Sequence, residues 1–273
     1  MAKYLSLSLP AIEIAWIRFL VFVLIVLPAA LTTAPNAFRS TRPGLQAWRG
    51  VALLSSSVFF ITGLRFLPIA EASATSFVAP IFVTALSMMF LGEKVGVRRW
   101  LATIVGLFGV MVIVRPGSSA FDPAALFPVV SAFGWACTLI MTRMISGKDR
   151  AITTMAYSSL VGLCILTAMV PLFWVTPSWR DIVLGVAVGI ASTTGQWIVV
   201  LAFRYADASV LAPFSYSQLV WATILGFLIF GDIPDIWTIV GAAVIIGSGL
   251  YTAHRERVRR AQLPIQAEPY PSA

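Results

Sequence analysis

The chain has 273 residues, of which 59% are hydrophobic and only 11% are charged, and its formal net charge is +8. A soluble domain carries about 25% charged residues, so a surface this apolar must face lipid, which excludes the soluble protein classes. In a soluble protein the positive charge would indicate a nucleic-acid partner, but here the positions of the basic residues explain it without one.

Long apolar runs make up most of the chain. A run of about 20 mostly apolar residues is long enough to cross a bilayer as a helix. Nine candidate runs are present, at 10–31, 50–67, 70–91, 100–114, 123–142, 152–175, 182–203, 208–230 and 235–252. They are continuously apolar and do not alternate, which predicts helices and therefore an all-α integral membrane bundle.

Basic residues are concentrated in every second connection between these runs. One set of connections contains 14 of them, which are Arg39, Arg42, Arg49, Lys94, Arg98, Arg99, Arg143, Lys148, Arg150, Arg204, Arg255, Arg257, Arg259 and Arg260. The other set contains five, which are Lys3, Arg18, Arg65, Arg115 and Arg180. Cytoplasmic connections are enriched in Lys and Arg, so this bias predicts a bacterial inner-membrane protein whose C-terminus is cytoplasmic. No nucleic-acid partner is expected.

The same alternation places Met1 outside the cytoplasm. A bundle with an even number of helices and both ends inside would need one more helix upstream of this residue. We therefore expect the first helix of the bundle to be missing from this chain. The alternative is a nine-span protein with an external N-terminus.

Two segments, 76–92 and 215–231, repeat each other weakly at an offset of 139 residues. The aligned pairs are Ser76 with Ser215, Phe77 with Tyr216, Thr84 with Thr223, Leu86 with Leu225 and Gly92 with Gly231. In each copy an acid follows the final glycine, and another helix comes next. The first copy ends in the basic set of connections and the second in the other set, so the copies run in opposite directions. Inverted repeats are typical of transporters, whose substrate site lies where the two halves meet.

Several motifs are shared with a known family. They are the run 13–19 (Glu-Ile-Ala-Trp-Ile-Arg-Phe), the run 72–94 with Pro80 and the ending Leu-Gly-Glu-Lys, then Trp100, Gly106, Gly109 and Val110, and the run 212–232. Together they resemble the EamA family of the drug/metabolite transporter superfamily. The resemblance covers essentially the whole chain from Lys3 to Tyr251 and does not name a substrate.

This resemblance implies a ten-helix bundle of two inverted five-helix repeats. On that pattern, residues 1–116 form the first repeat without most of its first helix, and residues 117–253 form the second. Residues 254–273 form a basic cytoplasmic tail that we expect to be disordered. The implied function is transport of a small metabolite (amino-acid-like, cofactor-like or metallophore-like) by alternating access.

The chain departs from the family pattern in three places. It has Leu219 where the other repeat has Pro80, and Asp232 where a glutamate is more usual. The missing first helix is the departure that matters most, because that helix normally helps to line the cavity. A chain without it could fail to transport, so the alternative function is a non-transporting membrane protein, either a truncated remnant or a helical partner subunit.

Three polar side chains in the predicted spans are candidate solute contacts. Arg18 lies in the outer part of the first span, where it either meets a solute carboxylate or is an interfacial arginine that snorkels or pairs with Glu13. Gln196 lies in the most polar stretch of any span and either contacts solute or hydrogen-bonds between helices. Tyr216 follows Pro213, whose missing N–H leaves a backbone carbonyl open toward the cavity. We predict that Gln196 and Tyr216 line one central cavity.

Two aromatic residues and one proline complete the candidate site. Trp135 and Tyr157 either wall an apolar pocket, with one polar atom each to offer a ligand, or simply pack between helices. Pro80 lies inside an apolar run, where its ring bends a helix. We predict a hinge there, and a static bend is the alternative.

The eleven acids all lie outside the middle of the predicted spans. Carriers driven by protons or sodium often place a carboxylate there, so this pattern favours a facilitator or exchanger, or coupling through Glu13 or Glu71 near the outer face. The sequence has no paired carboxylates, Ser/His set or metal-binding cluster, so no enzyme activity, metal site or cofactor is predicted. The expected partners are a small-molecule solute and the lipid bilayer.

Overall fold

The computed structural model describes residues 1–33, 38–92, 97–115, 122–205, 217–231 and 234–261. The helices are α1 (Ala2–Ser8), α2 (Ala11–Thr33), α3 (Pro43–Phe66), α4 (Ile69–Ser76), α5 (Ala79–Leu91), α6 (Val97–Val114), α7 (Leu126–Ile145), α8 (Ala151–Met169), α9 (Trp179–Tyr205), α10 (Ser217–Phe230) and α11 (Ile236–Ala261). Short 3-10 turns precede α7 and follow α8. No strand occurs in the described ranges, and the predicted all-α fold is confirmed.

Six segments are long and apolar enough to cross a membrane, namely Ala11–Thr32, Pro43–Phe66, Ile69–Leu91, Pro123–Ile145, Ala151–Leu172 and Trp179–Ala202. Three shorter apolar helices are Trp100–Val114, Gln218–Phe230 and Ile236–Tyr251. All of them coincide with the apolar runs of the sequence. Large apolar side chains such as Phe108 and Leu228 are exposed on their outer faces, as expected where the surrounding solvent is lipid. The chain is a multi-pass membrane protein.

α3 begins earlier than the apolar run at 50–67 indicated. It starts at Pro43, which suits a first helical turn because the N–H that proline lacks would have no partner there. This start brings Gln46 and Arg49 into the helix, where they are 0% and 4% exposed. The prediction that Arg49 lies in a connection is therefore wrong.

α11 ends later than predicted. It continues to Ala261, past the start of the predicted tail at His254. Four of the eight residues 254–261 are arginine, which favours helix. The expected disorder of the tail stays a prediction. Residues 262–273 lie outside the described residues.

The predicted helix over 70–91 is interrupted. Two residues, Phe77 and Val78, separate α4 from α5, and the Phe77 N–H donates to the Ala74 carbonyl at 3.0 Å. Pro80 lies in the first turn of α5, where its missing N–H breaks no helical hydrogen bond. It therefore marks a break between two helices and does not bend a continuous one. Its role as a hinge stays a prediction.

The connections gather at two ends of the bundle. At one end, the segment 38–42 hydrogen-bonds to Asp149 in the connection 146–150. We call this the basic end. At the opposite end, the Arg115 guanidinium pairs with the Asp235 carboxylate at 2.6 Å, joining the end of α6 to the start of α11.

α2 and α9 run parallel in close contact because α9 presents glycines to α2. A Cβ atom on Gly185 would lie 2.8 Å from Ile17, and one on Gly189 would lie 2.6 Å from Val21. The two residues of each pair differ by 168 in residue number. Each residue of α2 therefore lies beside the α9 residue numbered 168 higher. This register gives the relative depths of side chains on the two helices.

The offset of 139 residues between Gly92 and Gly231 also relates α5 and α6 to α10 and α11. Adding 139 to the residue numbers of α5 gives 218–230, which lies within α10. Adding 139 to those of α6 gives 236–253, which lies within α11. Gly92 and Gly231 both follow the last residue of their helices with positive φ, 65° and 69°. Glycine commonly ends helices in this left-handed conformation because it has no Cβ.

Candidate functional site

Arg18 lies about two turns from the start of α2 and is half-buried. Its guanidinium carbon is 5.5 Å from the centre of the Phe19 ring, a cation–π distance. Among the described residues it forms no ion pair or hydrogen bond. This cation within a membrane span therefore has an aromatic neighbour and no counterion in that part of the chain.

The nearby Glu13 carboxylate does not pair with Arg18. Glu13 is 0% exposed, and its Oε2 accepts a hydrogen bond from the Val175 N–H at 3.1 Å, while Oε1 has no partner among the described residues. Residues five apart on a helix point about 140° away from each other. The pairing considered for Arg18 is therefore not formed, and its guanidinium is available to a ligand.

Asp181 ties α1 to α9 at the opposite end. Its carboxylate accepts hydrogen bonds from the Ser8 hydroxyl at 2.8 Å and from the Ser178 N–H and hydroxyl at 3.0 and 2.6 Å. Asp181 is thus saturated with donors, in contrast to Glu13. This acid serves as a structural link between helices.

Trp135 lies on α7 and packs against the apolar cluster formed by α2, α3 and α8. The neighbouring Gly134 lets α7 approach α3, since a Cβ there would lie 3.0 Å from the Ser56 nitrogen. Trp16 packs against the same cluster, and its indole N–H donates to the Thr167 hydroxyl at 3.0 Å. Both indoles therefore border the region between α2 and its neighbours.

Gln196 lies at a different depth from Arg18. In the α2–α9 register, Gln196 is level with Pro28, because 196 minus 168 is 28. That is about 15 Å along the helix axis from Arg18, at 1.5 Å per residue. Gln196 is half-buried, and Thr193 one turn earlier is buried with a hydroxyl that has no partner among the described residues. A solute that met both Arg18 and Gln196 would have to be extended.

The other two predicted contacts are not brought into this region by the described structure. Tyr157 is near the basic end, where its hydroxyl donates to the Phe38 carbonyl at 3.0 Å. Tyr216 lies outside the described residues. The prediction that Gln196 and Tyr216 share one cavity therefore stays a prediction.

The structure contains a buried polar network at the basic end that the sequence does not predict. The Gln46 amide donates to Asp149 Oδ2 at 2.8 Å and to the Thr154 hydroxyl at 3.1 Å. Asp149 also accepts hydrogen bonds from Ser40 and from the backbone and hydroxyl of Thr41. The spacing of Gln46 and Arg49, one turn apart just before an apolar run, could have signalled a buried polar face.

Arg49 continues this network toward the middle of the membrane. Its Nε donates to the Thr142 hydroxyl at 2.7 Å, and its Nη1 donates to the Ser158 hydroxyl. These two bonds join α3 to α7 and α8. The network thus holds three helices and two connections together at the basic end.

The low pKa of Asp149 predicts that the stability of the protein depends on pH. Burial alone raises the pKa of the Asp149 carboxyl, but hydrogen bonds from Ser40, Thr41 and Gln46 outweigh it and hold the pKa at about 2, below the ordinary 3.8. A carboxyl whose pKa is lower when folded stabilises the fold fully above its unfolded pKa, and this contribution is lost as pH falls through the folded pKa. We expect the unfolding temperature in detergent to fall between pH 3.8 and 2.

The matched variant for this prediction is Asp149→Asn. It should lower the unfolding temperature at pH 7, because the ionised acceptor is lost, and its curve should be flatter than that of the wild type in the acid range. Parallel acid curves for the two proteins would contradict the stabilising role of this carboxylate.

Comparisons with known proteins agree with the fold and the membrane setting. The chain is 30% identical over 257 residues to the S-adenosylmethionine uptake transporter of Rickettsia felis, covering 94% of this chain and 87% of that protein. It is 29% identical over 250 residues to the riboflavin transporter of Vibrio cholerae, covering 90% and 84%. It is 27% identical over 251 residues to the pseudopaline exporter CntI of Pseudomonas aeruginosa, covering 90% and 87%.

One solved crystal structure shares the fold, with a TM-score of 0.67 and 19% identity over 96% of this chain and 92% of that chain. The names of the relatives indicate small-molecule transporters and not enzymes. The sequence profile of the EamA-like transporter family matches residues 1–115 and 122–252. This match confirms the resemblance drawn from the motifs. The chain belongs to the EamA-like transporter family.

Proposed function

We propose that this protein is a carrier that moves a small metabolite across the bacterial inner membrane by alternating access. Its solute site lies at the interface of two inverted repeats, residues 1–116 and 117–253. The observation that carries the proposal is the family match over nearly the whole chain. The 139-residue offset that relates α5 to α10 and α6 to α11 supports the division into repeats.

The proposed solute carries an anionic or zwitterionic group. Arg18 supports this choice, because it is a guanidinium within a span that has no counterion among the described residues and is suited to grip a carboxylate with two hydrogen bonds. Two relatives are named for S-adenosylmethionine uptake and for pseudopaline export. An amino-acid-like, cofactor-like or metallophore-like solute fits this chemistry.

The proposed path runs from Arg18 toward Gln196. Trp135 is proposed to line this path, and Tyr157 lies near its basic end. Tyr216, which lies outside the described residues, stays a predicted contact. The depth difference of about 15 Å between Arg18 and Gln196 suits an extended solute whose charged group is held at one end. The break beside Pro80 is the proposed hinge.

The basic end is proposed to face the cytoplasm, with the C-terminus on the same side. The uneven distribution of Lys and Arg between the two sets of connections supports this orientation. A reporter that is active only in the periplasm, fused to the C-terminus, should give no signal, whereas a cytoplasmic reporter at the same site should be active. A strong periplasmic signal would reverse the orientation.

The function is tested by profiling uptake and efflux of a metabolite panel in membrane vesicles that contain the protein. The panel includes S-adenosylmethionine, riboflavin and a carboxylate-rich metallophore, and vesicles from cells lacking the protein are the control. We expect protein-dependent transport of at least one carboxylate-bearing solute. Equal transport in both vesicle preparations for the whole panel would favour a non-transporting membrane protein.

A further inference from the structure

Arg49 is a buried cation with unused hydrogen-bond donors. The side chain is 4% exposed, and two of its bonds go to neutral hydroxyls, those of Thr142 and Ser158. A guanidinium has five N–H donors, so three are left without an acceptor among the described residues. No carboxylate in those residues lies within ion-pair distance of it.

A negatively charged group at this site would stabilise the buried guanidinium. A buried lysine or carboxyl can release or take up a proton to become neutral, but an arginine stays charged. Hydroxyl groups satisfy donors without neutralising the charge, so the desolvation of the guanidinium is only partly offset. Within membrane spans, ionisable side chains of this kind mark solute or ion pathways.

The acid in the same network, Asp149, already accepts hydrogen bonds from other donors. Asp149 accepts hydrogen bonds from Ser40, Thr41 and Gln46, so its charge holds the connections together at the basic end. Gln46, one turn before Arg49, has a buried Oε1 with no partner among the described residues. Arg49 thus offers unused cationic donors, which suit a carboxylate. Gln46 offers a neutral acceptor one turn away, which suits a neighbouring ammonium group.

Arg49 and Arg18 occupy matching places in the two halves of the membrane. Arg18 is seven residues from the start of α2, and Arg49 is six residues from the start of α3, which runs in the opposite direction. At 1.5 Å per residue, each cation lies about 10 Å inside its own end of the bundle. Both lack a counterion among the described residues.

We propose that Arg49 is a second binding position, which receives the carboxylate of the transported solute on the cytoplasmic side as Arg18 receives it on the periplasmic side. The inference rests on the proposed carrier function. It adds that Arg49 determines the affinity for solute arriving from the cytoplasmic face and not from the other face. A carboxylate would occupy the free donors of Arg49 when the bundle opens at the basic end.

The test measures half-saturating concentrations of S-adenosylmethionine from each face separately, in right-side-out and inside-out vesicles. Arg49→Gln should raise the cytoplasmic-side value about tenfold or more and leave the periplasmic-side value nearly unchanged. Arg49→Lys should be intermediate on the cytoplasmic face, because the charge remains and the forked geometry is lost.

Two controls separate binding from structural support. Arg42→Gln removes an exposed cation from the same end and should leave both values unchanged. Thr142→Val removes one hydrogen bond to Arg49 without removing its charge, so it should lower the amount of folded protein more than it changes affinity. If Arg49→Gln fails to insert, Arg49→Lys provides the same comparison between faces.

Equal changes on both faces, or unchanged values after normalisation to inserted protein, would overturn the inference while leaving the carrier function intact. Absence of transport by the wild type would instead contradict the carrier function itself, and this inference with it.

Discussion

Replacing Arg18 by glutamine is expected to raise the apparent KM for transport from the periplasmic face by about tenfold or more. The guanidinium lies over the Phe19 ring and has no ion pair among the described residues, so its charge is available to a solute. Low-dielectric walls strengthen its attraction for a carboxylate relative to water. The measurement is initial uptake rate against solute concentration, normalised to correctly inserted protein.

Arg18→Lys and Arg180→Gln complete this experiment. Lysine keeps the charge but loses the fork that grips a carboxylate with two bonds, so its KM should lie between those of the wild type and Arg18→Gln. Arg180 is an exposed cation in the first turn of α9, at the same end of the bundle, and its replacement should change little. Equal normalised rates for wild type and Arg18→Gln would remove Arg18 from the solute site.

Gly241→Ala is expected to destabilise the bundle by about 3 kcal/mol, the upper part of the range for overpacked cores. A Cβ atom at this position would lie 2.5 Å from the Gly109 carbonyl oxygen and 2.5 Å from the Ile113 side chain. The carbonyl belongs to the backbone of α6 and cannot rotate away, and Ile113 is buried at 1% exposure. α6 and α11 would therefore have to separate. The expected readout is a lower unfolding temperature and less protein recovered in detergent.

Gly247→Ala on the same helix is the matched control. Apart from its chain neighbours and the local helix backbone, no described atom lies within 4 Å of a Cβ built on Gly247. Alanine favours helix over glycine by about 1 kcal/mol. This variant should therefore be as stable as the wild type or slightly more stable. If Gly241→Ala and Gly247→Ala unfold at the same temperature, the close approach of α6 and α11 is wrong.

The transmembrane helices could be predicted from the sequence because the bilayer imposes a simple physical rule. A spanning segment needs a continuous apolar run, and the observed spans coincide with such runs. The same rule explains the error at α3. A charged residue lowers the apolarity of a run, so the apolar pattern predicts that the helix begins after Arg49. Hydroxyl groups of two other helices instead hold Arg49 inside the helix.

The polar network at the basic end could not be predicted because its members are distant in sequence. Ser40, Gln46 and Asp149 meet only once α3 has packed beside the α7–α8 connection. The hydrogen bond from Tyr157 to Phe38 likewise joins residues 119 positions apart. By contrast, the sequence alone marks Arg18 as a candidate solute contact, because it is a single charged residue within an apolar span. What the sequence could not indicate was the absence of pairing with Glu13.

The most direct test of the carrier function is solute counterflow in liposomes containing the purified protein. Liposomes are loaded with an excess of unlabelled solute and diluted into a trace of the same solute carrying a label. A carrier that alternates between two faces exchanges the two pools, so labelled solute should accumulate transiently above its equilibrium level without any ion gradient. Arg18→Gln should weaken this accumulation at low external solute concentration. If folded protein gives no accumulation beyond that of protein-free liposomes for every solute of the panel, the chain is not the proposed carrier.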